Sequence, residues 1–344
     1  MHGNGTVHHF DSLPEVRGPS TPLAGLDAVV RQAPLIGVIR NPRSHRNAGD
    51  PPEWTERGSV LVEMPDRRSE LQAILARFAE RRIDYLVVDG GDGTVRDVLT
   101  CGAGIFGERW PTLIVLPNGK TNALAADLGL PGDWSLTDAL EAIHSGRLAH
   151  RRPLVVAQRD NTDARVQGFV FGAGAFNAAI GLGQAAHRRG AFNAVAVGVT
   201  AVWSLVQALF GGEGNVWRRG TPMRLYDGDD GEELPHSGIE RLDQRYLLFA
   251  STLTRFPAGL RPFAQVEGAL RASVIDNSRL ALLVRLPLIF RGVVGEGLRR
   301  RGYHVFGMDR LRLDIGDRFI LDGEAFPAGL YEISLGPKLR FVVP

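Results

Sequence analysis

The chain is poor in cysteine, in surplus charge and in long apolar runs, and each shortage excludes something. Its single cysteine, Cys101, rules out an intramolecular disulfide and any multi-cysteine zinc cluster, and fits a reducing cytoplasm. Lys+Arg 40 against Asp+Glu 38 leaves +2 at pH 7, so no concentrated basic surface marks nucleic acid as a partner. Residues 1–34 are polar, carry His2, His8 and His9, and lack the apolar core of a secretory leader; the adjacent histidines are expected to be solvated. One uncharged stretch, Ala191 to Phe210, has near-spanning length. Asn193, Gly198, Thr200, Ser204 and Gln207 interrupt it, which predicts a buried or interface helix. What is present is a globular composition, 44% hydrophobic and 23% charged, in 344 residues. At roughly 150 residues per domain, that length predicts two domains.

The hydrophobic pattern divides the chain. Leu35 to Ile39, Tyr85 to Val88 and Thr112 to Leu116 are short apolar runs that read as buried strands. Leu71, Ile74, Leu75 and Phe78 recur at helical spacing behind a capping box of Ser69 and Gln72. A helix beginning near Thr94 carries Val95, Val98 and Leu99; others are expected at 121–128 and behind Ser135 with Asp138. Strands that alternate with helices and lack alternating polarity predict a three-layer α/β domain on a parallel sheet over 35–150, behind an N-terminal extension, 1–34. After Arg151-Arg152-Pro153 strand-like segments dominate, at 154–158, 166–171, 222–226, 246–252, 269–275, 279–284, 310–315, 318–321 and 330–335. Asp227-Gly228, Asp230-Gly231 and Asp322-Gly323 are turn signals between them, and helices are expected only near 183–211 and 285–300. The prediction is an antiparallel β-sandwich domain with helical insertions over 151–335, with 336–344 returning to the first domain.

Gly90-Gly91-Asp92-Gly93-Thr94 is the strongest chemical signal, set between a strand and a helix. Glycines let the backbone approach a ligand, and unpaired amides at a helix start seat phosphate. Asp92 would repel a phosphate by itself; it makes sense where Mg²⁺ lies between carboxylate and phosphates, or where it orients a nucleophile. Tight strand-to-helix packing is the plainer reading of the same glycines. Gly119-Lys120-Thr121 looks like the tail of a P-loop, but that motif needs glycine where Ile114 stands. Lys120 is then either a phosphate contact or a solvated surface lysine. Arg285, Arg291 and Arg299-Arg300-Arg301, interleaved with Leu286, Leu288, Ile289 and Phe290, read as a packed helix with a solvated basic end or as a contact for anionic lipid headgroups.

Four segments in order resemble the diacylglycerol kinase catalytic-domain family, which includes sphingosine and ceramide kinases and sits in a superfamily with NAD kinases. They are Asn41-Pro42-Arg43-Ser44, Gly90 to Thr94, Pro117 to Ala125, and Leu321-Asp322-Gly323-Glu324. The resemblance implies an ATP- and Mg²⁺-dependent lipid kinase, acting on a diacylglycerol-like or sphingoid hydroxyl in a cleft between a nucleotide-binding domain and an acceptor-binding β domain. It implies that Asn41, Ser44, Gly90, Gly91, Asp92, Gly93, Thr94, Gly119, Thr121 and Asn122 hold the nucleotide, with Lys120 beside them. Asp92 would be the metal-side carboxylate, and Glu324 the general base that takes the hydroxyl proton. It further implies a cytoplasmic protein with peripheral contact at the inner face of the membrane. The sequence departs from the family at Arg96 and Asp97, where Asn and Glu are usual, and at Lys120, where Thr is usual. It departs again at Arg271, which replaces a carboxylate linked in some members to a structural Mg²⁺, and in the loop Ser251 to Gly259. An NAD kinase-like phosphotransferase and a non-catalytic nucleotide or lipid sensor are the alternatives.

Overall fold

A computed structural model of the chain describes residues 7–16, 33–47, 59–120, 122–177, 220–228, 231–237, 242–256, 260–263, 266–276 and 285–344. The expected helix over 183–211, which includes Ala191 to Phe210, and the expected strand 279–284 lie outside the described residues, as does Thr121.

The first half supplies β1 (Ile36–Arg40), β2 (Val60–Glu63), α1 (Arg68–Glu80), β3 (Tyr85–Gly90), α2 (Asp92–Phe106), β4 (Thr112–Pro117), α3 (Ala123–Leu128), α4 (Leu136–Ser145) and β5 (Leu148–Arg151). Its sheet runs β2-β1-β3-β4, parallel throughout, and is extended by the last strand of the chain, β18 (Leu339–Val342), with β5 antiparallel at the edge. Alternate residues point to opposite faces. Ile39, Leu86, Val88, Leu113 and Val115 therefore meet α1, α2 and α3 on one side. Ile36, Val38, Val87, Ile114 and Leu116 meet α4 on the other. Both faces are apolar, which is why these strands show no alternating polarity.

The remaining strands are β6 (Leu154–Gln158), β7 (Arg165–Gly168), β8 (Val170–Gly174), β9 (Thr221–Asp227), β10 (Gln244–Arg245), β11 (Leu247–Ser251), β12 (Leu270–Ile275), β13 (Tyr303–Met308), β14 (Leu311–Ile315), β15 (Phe319–Leu321), β16 (Glu324–Phe326) and β17 (Gly329–Leu335). They form two antiparallel sheets, β10-β9-β14-β17-β6-β7 and β13-β12-β11-β8-β15-β16. One core lies between them: Val156, Leu225, Leu313 and Ile333 from the first sheet pack with Phe171, Leu248, Val274 and Phe319 from the second.

Several expectations need correction. The single strand expected at 166–171 is two strands in different sheets, parted at Phe169, because the Phe169 and Val170 amides donate to the Asp322 carboxylate (3.0 and 2.9 Å). The helix expected over 285–300 is two short ones, α5 (Leu286–Phe290) and α6 (Glu296–Arg299), split by Gly292 at φ 82. α1 starts with Glu70 accepting from the Asp66 and Arg67 amides, rather than with Ser69 and Gln72. The Ser135–Asp138 capping box stands as read. Residues 8–10 are not a free polar tail. The Phe10 amide donates to the Ala325 carbonyl (2.8 Å), the Ala325 amide donates to that of His8 (3.0 Å), and the Phe10 ring stacks on Phe326 at 4.9 Å.

Candidate active site

The order β2-β1-β3 sets where the site lies. The chain leaves β1 toward one neighbour and later places β3 on the other side, so the loops after β1 and β3 part and leave a crevice at the carboxyl ends of the strands. Asn41 and Ser44 follow β1, Gly90 to Thr94 close β3 and open α2, and Gly119 to Asn122 follow β4. Strand order alone thus gathers three of the four sequence segments at one corner.

Side chains then lock the corner. Asp89, fully buried, accepts from Arg40 Nη1 (2.8 Å), Asn47 Nδ2 (2.8 Å) and Asn118 Nδ2 (2.6 Å), tying the three loops to one carboxylate. Asn41 donates to the Thr94 hydroxyl at 2.9 Å and accepts from the Arg43 amide at 3.0 Å, and Ser44 lies buried in the same turn. Asn122 accepts from the Gly119 amide (3.1 Å) and donates to the Pro117 and Gly119 carbonyls, so its side chain shapes its own turn. A Cβ at Gly119 would meet Gly91 Cα at 2.3 Å, and one at Gly90 would meet the Thr94 hydroxyl at 2.5 Å. These two glycines are required by close approach. Lys120 is exposed at the rim of this turn.

α2 opens at Asp92, two residues earlier than expected, which puts the Asp92 and Gly93 amides in the first helical turn, ahead of the helix's own bonds. The Asp92 carboxylate accepts from the amides of Ala123 (2.9 Å) and Leu124 (3.3 Å) at the start of α3. Burial pushes its pKa up to about 6 despite those two bonds.

The β half brings its own carboxylates to α2. Leu321 pairs with Glu324 across the two-residue turn Asp322-Gly323, whose φ values are 46 and 86. That is the left-handed geometry of a tight hairpin. The turn signal read at Asp322-Gly323 is thus a hairpin in the structure. Buried Arg96 donates to the Leu321 carbonyl (3.3 Å) and to Asp97 (3.0 Å), docking the hairpin along the first turns of α2. Asp322 is pushed up to about 7, first by burial and then by the like charge of Asp92. Gly168 leaves it room: a Cβ there would meet Asp322 Oδ2 at 2.4 Å.

Glu324 faces a different set. Its carboxylate accepts from the His8 amide, and its electrostatic neighbours are Arg96, Asp97 and Arg68. Burial again dominates and pushes it up to about 7. Asp97 runs the other way, drawn down to about 2 by Arg96 and Arg68 against its burial. The carboxylate that meets Asp92 electrostatically is thus Asp322, whereas Glu324 lies one helical turn on, by Arg96. The sequence reading gave Asp322 no role beyond its turn, and it missed Asp89 and Asn47 altogether. A carboxylate closing an apolar strand, as in Val87-Val88-Asp89, is the one signal that pointed at Asp89.

Among the described residues no group of three or more His, Cys, Asp or Glu side chains is placed to hold a metal ion. Two carboxylates from separate halves, each raised and one raised by the other, are nevertheless the donor set that Mg²⁺ takes when phosphate oxygens complete its shell. The residues fit that ion. Gly91 and Gly119 pack backbone to backbone, which brings the turn after β4 against the first amides of α2.

Residues 51–154 match the family model of the diacylglycerol kinase catalytic domain, so the resemblance carried by the motifs is borne out over that stretch. The fold is similar to that of a solved structure from Bacillus anthracis strain Sterne described as a "putative diacylglycerol kinase", at TM-score 0.62 and 14% identity, covering 92% of this chain and 99% of that one. A second, described as a diacylglycerol kinase from the same strain, gives TM-score 0.61 and 15% identity over 92% and 99%. A comparison with the curated proteins finds no match.

Proposed function

We propose that the protein is an ATP-dependent lipid kinase that transfers the γ-phosphoryl group to a hydroxyl of a diacylglycerol-like or sphingoid lipid. The observation that carries this reading is the docking of the Asp322-Gly323 hairpin along α2, which sets Asp322 against Asp92 beside a glycine-walled phosphate seat. Asn41, Ser44 and the Gly90–Thr94 turn line the nucleotide side, with Lys120 at its rim. Asp92, faced by Asp322, would hold Mg²⁺, which when bound neutralises phosphate charge. Glu324 is the proton acceptor: a carboxyl raised to about 7 is neither too weak a base to take a hydroxyl proton nor protonated throughout near neutral pH. Arg96 keeps the hairpin, and with it Glu324, against α2.

The deciding experiment incubates the full chain with labelled ATP, Mg²⁺ and a panel of diacylglycerol, monoacylglycerol, sphingosine, ceramide and NAD. Label in a lipid is the expected result. Label in NAD would move the protein to the NAD kinase alternative, and nucleotide binding without transfer to either would make it a sensor.

A further inference from the structure

We propose that the α5–α6 knuckle is a docking surface for bilayers that carry anionic lipid headgroups. This deepens the lipid-kinase reading by naming where the enzyme meets its substrate's phase.

α5 ends in a closed cap. The Val293 amide donates to the Leu288 carbonyl (3.1 Å) and the Gly292 amide to that of Ile289 (2.9 Å), with Gly292 left-handed at φ 82. In this cap the residue after the glycine and the one five places earlier make an apolar contact. Here they are Val293 and Leu288, each 46% exposed. The opposite side of the same segment is anchored: Ile289 and Leu298 are buried with Phe263, Tyr246 and Tyr303. A rigid turn therefore holds two aliphatic side chains out toward solvent while its base is fixed in the core.

Charge surrounds that pair. Residues 285–301 carry Arg285, Arg291, Arg299, Arg300 and Arg301 against Glu296 alone, so five minus one gives +4 within a chain whose total is +2. The residues outside this stretch sum to −2. Arg291, Arg299, Arg300 and Arg301 are exposed; Arg300 also pairs with Glu296 at 2.8 Å. A second copy of this chain would bring the same positive surface and be repelled. A bilayer with anionic headgroups offers what both features need, an apolar layer for two proud side chains and negative charge at its rim.

The packing beneath the knuckle anchors it to both halves. Phe263 stacks on Phe249 at 5.4 Å, Phe249 lies 5.6 Å from Phe256, and half-buried Phe256 packs against both this cluster and the core of the α/β half. These rings fix the base of the knuckle in the core that joins the two halves.

The test is flotation of the full-length protein with vesicles of phosphatidylcholine alone or mixed with phosphatidylglycerol. Wild type should float with the mixed vesicles and not the neutral ones, and binding should weaken as salt shortens the reach of the arginines. L288E/V293E and R299Q/R300Q/R301Q should each lower binding at least tenfold, and both should phosphorylate a detergent-dispersed acceptor as wild type does. The arginines of the second variant are exposed, so it keeps the test alive should the first fail to fold. Equal flotation with neutral vesicles, wild-type binding by either exposed-site variant, or self-association or capture by an acidic protein in place of vesicle binding would overturn the proposal. Flotation needs no turnover. A protein that floats but phosphorylates nothing sinks the kinase reading and spares this surface; one that phosphorylates dispersed lipid without floating does the reverse.

Discussion

Among the described residues, two seams between the halves of the chain are built around carboxylates, and the seams are finished in different ways. At one, Asp127 of α3 reaches across to the loop after β11 and accepts from the Thr254 amide (2.7 Å), the Thr254 hydroxyl (2.9 Å) and the Arg255 amide (2.8 Å), while Arg151 pairs with its other oxygen. Arg271 secures the same loop, donating to the Thr252 and Leu253 carbonyls at 3.1 and 2.7 Å. Each of these charges finds a partner. At the other seam, Asp92 and Asp322 oppose like with like, and burial raises both. Both seams supply amides to their carboxylates; the difference is that Asp127 has an ion-paired guanidinium, whereas Asp92 faces the like charge of Asp322, an arrangement that favours a cation or a proton.

Disarming the second seam should have the largest effect on turnover. Asp92→Asn keeps an acceptor for the α3 amides but loses the charge, and transfer should fall by about 10³-fold or more while circular dichroism stays unchanged. Glu324→Gln should cost about 10²- to 10⁴-fold in kcat, the range of a general base. It should also remove the rise in rate through about pH 7 that a general-base role for Glu324 predicts for the wild type. Label transfer from ATP measured across pH checks both; full activity in either variant would contradict the division of roles.

Breaking the first seam should do the converse. Asp127→Asn leaves Arg151, still 23% exposed and open to solvent, without its counter-charge, a loss of about 1–3 kcal/mol. Urea unfolding should show that loss, whereas kcat of the folded fraction should stay within a few-fold of wild type. A collapse of kcat at unchanged stability would make Asp127 part of the chemistry.

The contrast also predicts a slope of stability with pH. Asp92, Asp322 and Glu324 all have pKa values raised above their unfolded ones, 3.8, 3.8 and 4.5, to about 6, 7 and 7. The folded chain then holds more protons than the unfolded chain between those limits, so this contribution is full below about pH 4 and is lost as pH rises through about 7. Thermal melts of the nucleotide-free protein should fall across that window. Asp322→Asn, tolerated at φ 46 because asparagine visits the left-handed region, should flatten the decline. An unaltered slope would mean that Asp322 carries little of the strain.

How far the sequence told this in advance depends on the range of each interaction. β1, β3 and β4 were legible because both of their faces are apolar, and the Gly90–Thr94 turn because its glycines cluster, whereas β2 and β5, mostly half-buried or exposed, were not. Asp322 as a partner of Asp92 was not legible, since the two lie 230 positions apart and meet only after β15 and β16 fold onto α2. The break at Phe169 was hidden for the same reason: Val166 to Phe171 reads as one strand, and the carboxylate that divides it belongs to a distant hairpin. Short edge strands such as Glu324–Phe326 and Gln244–Arg245 carry too few residues to show a period, so β16 and β10 were missed. Arg96 looked like a substitution in a family motif; its bond to the Leu321 carbonyl shows it to be the fastening of the second seam.

The smallest expected effect concerns the rim of that seam. Lys120 is exposed beside a turn whose shape Gly119 and Asn122 already fix, so neither folding nor the docking of the hairpin depends on it. An exposed ion pair contributes about 0.2–1 kcal/mol. Contact with a nucleotide phosphate through this side chain therefore predicts that Lys120→Met raises the apparent KM for ATP by about 1.5- to 5-fold and leaves kcat alone. Asp92→Asn should instead act mainly on kcat, so the pair separates ground-state attraction from charge needed in the transition state. An unchanged KM would return Lys120 to the solvated surface and leave the phosphate seat to main-chain amides and Asp92.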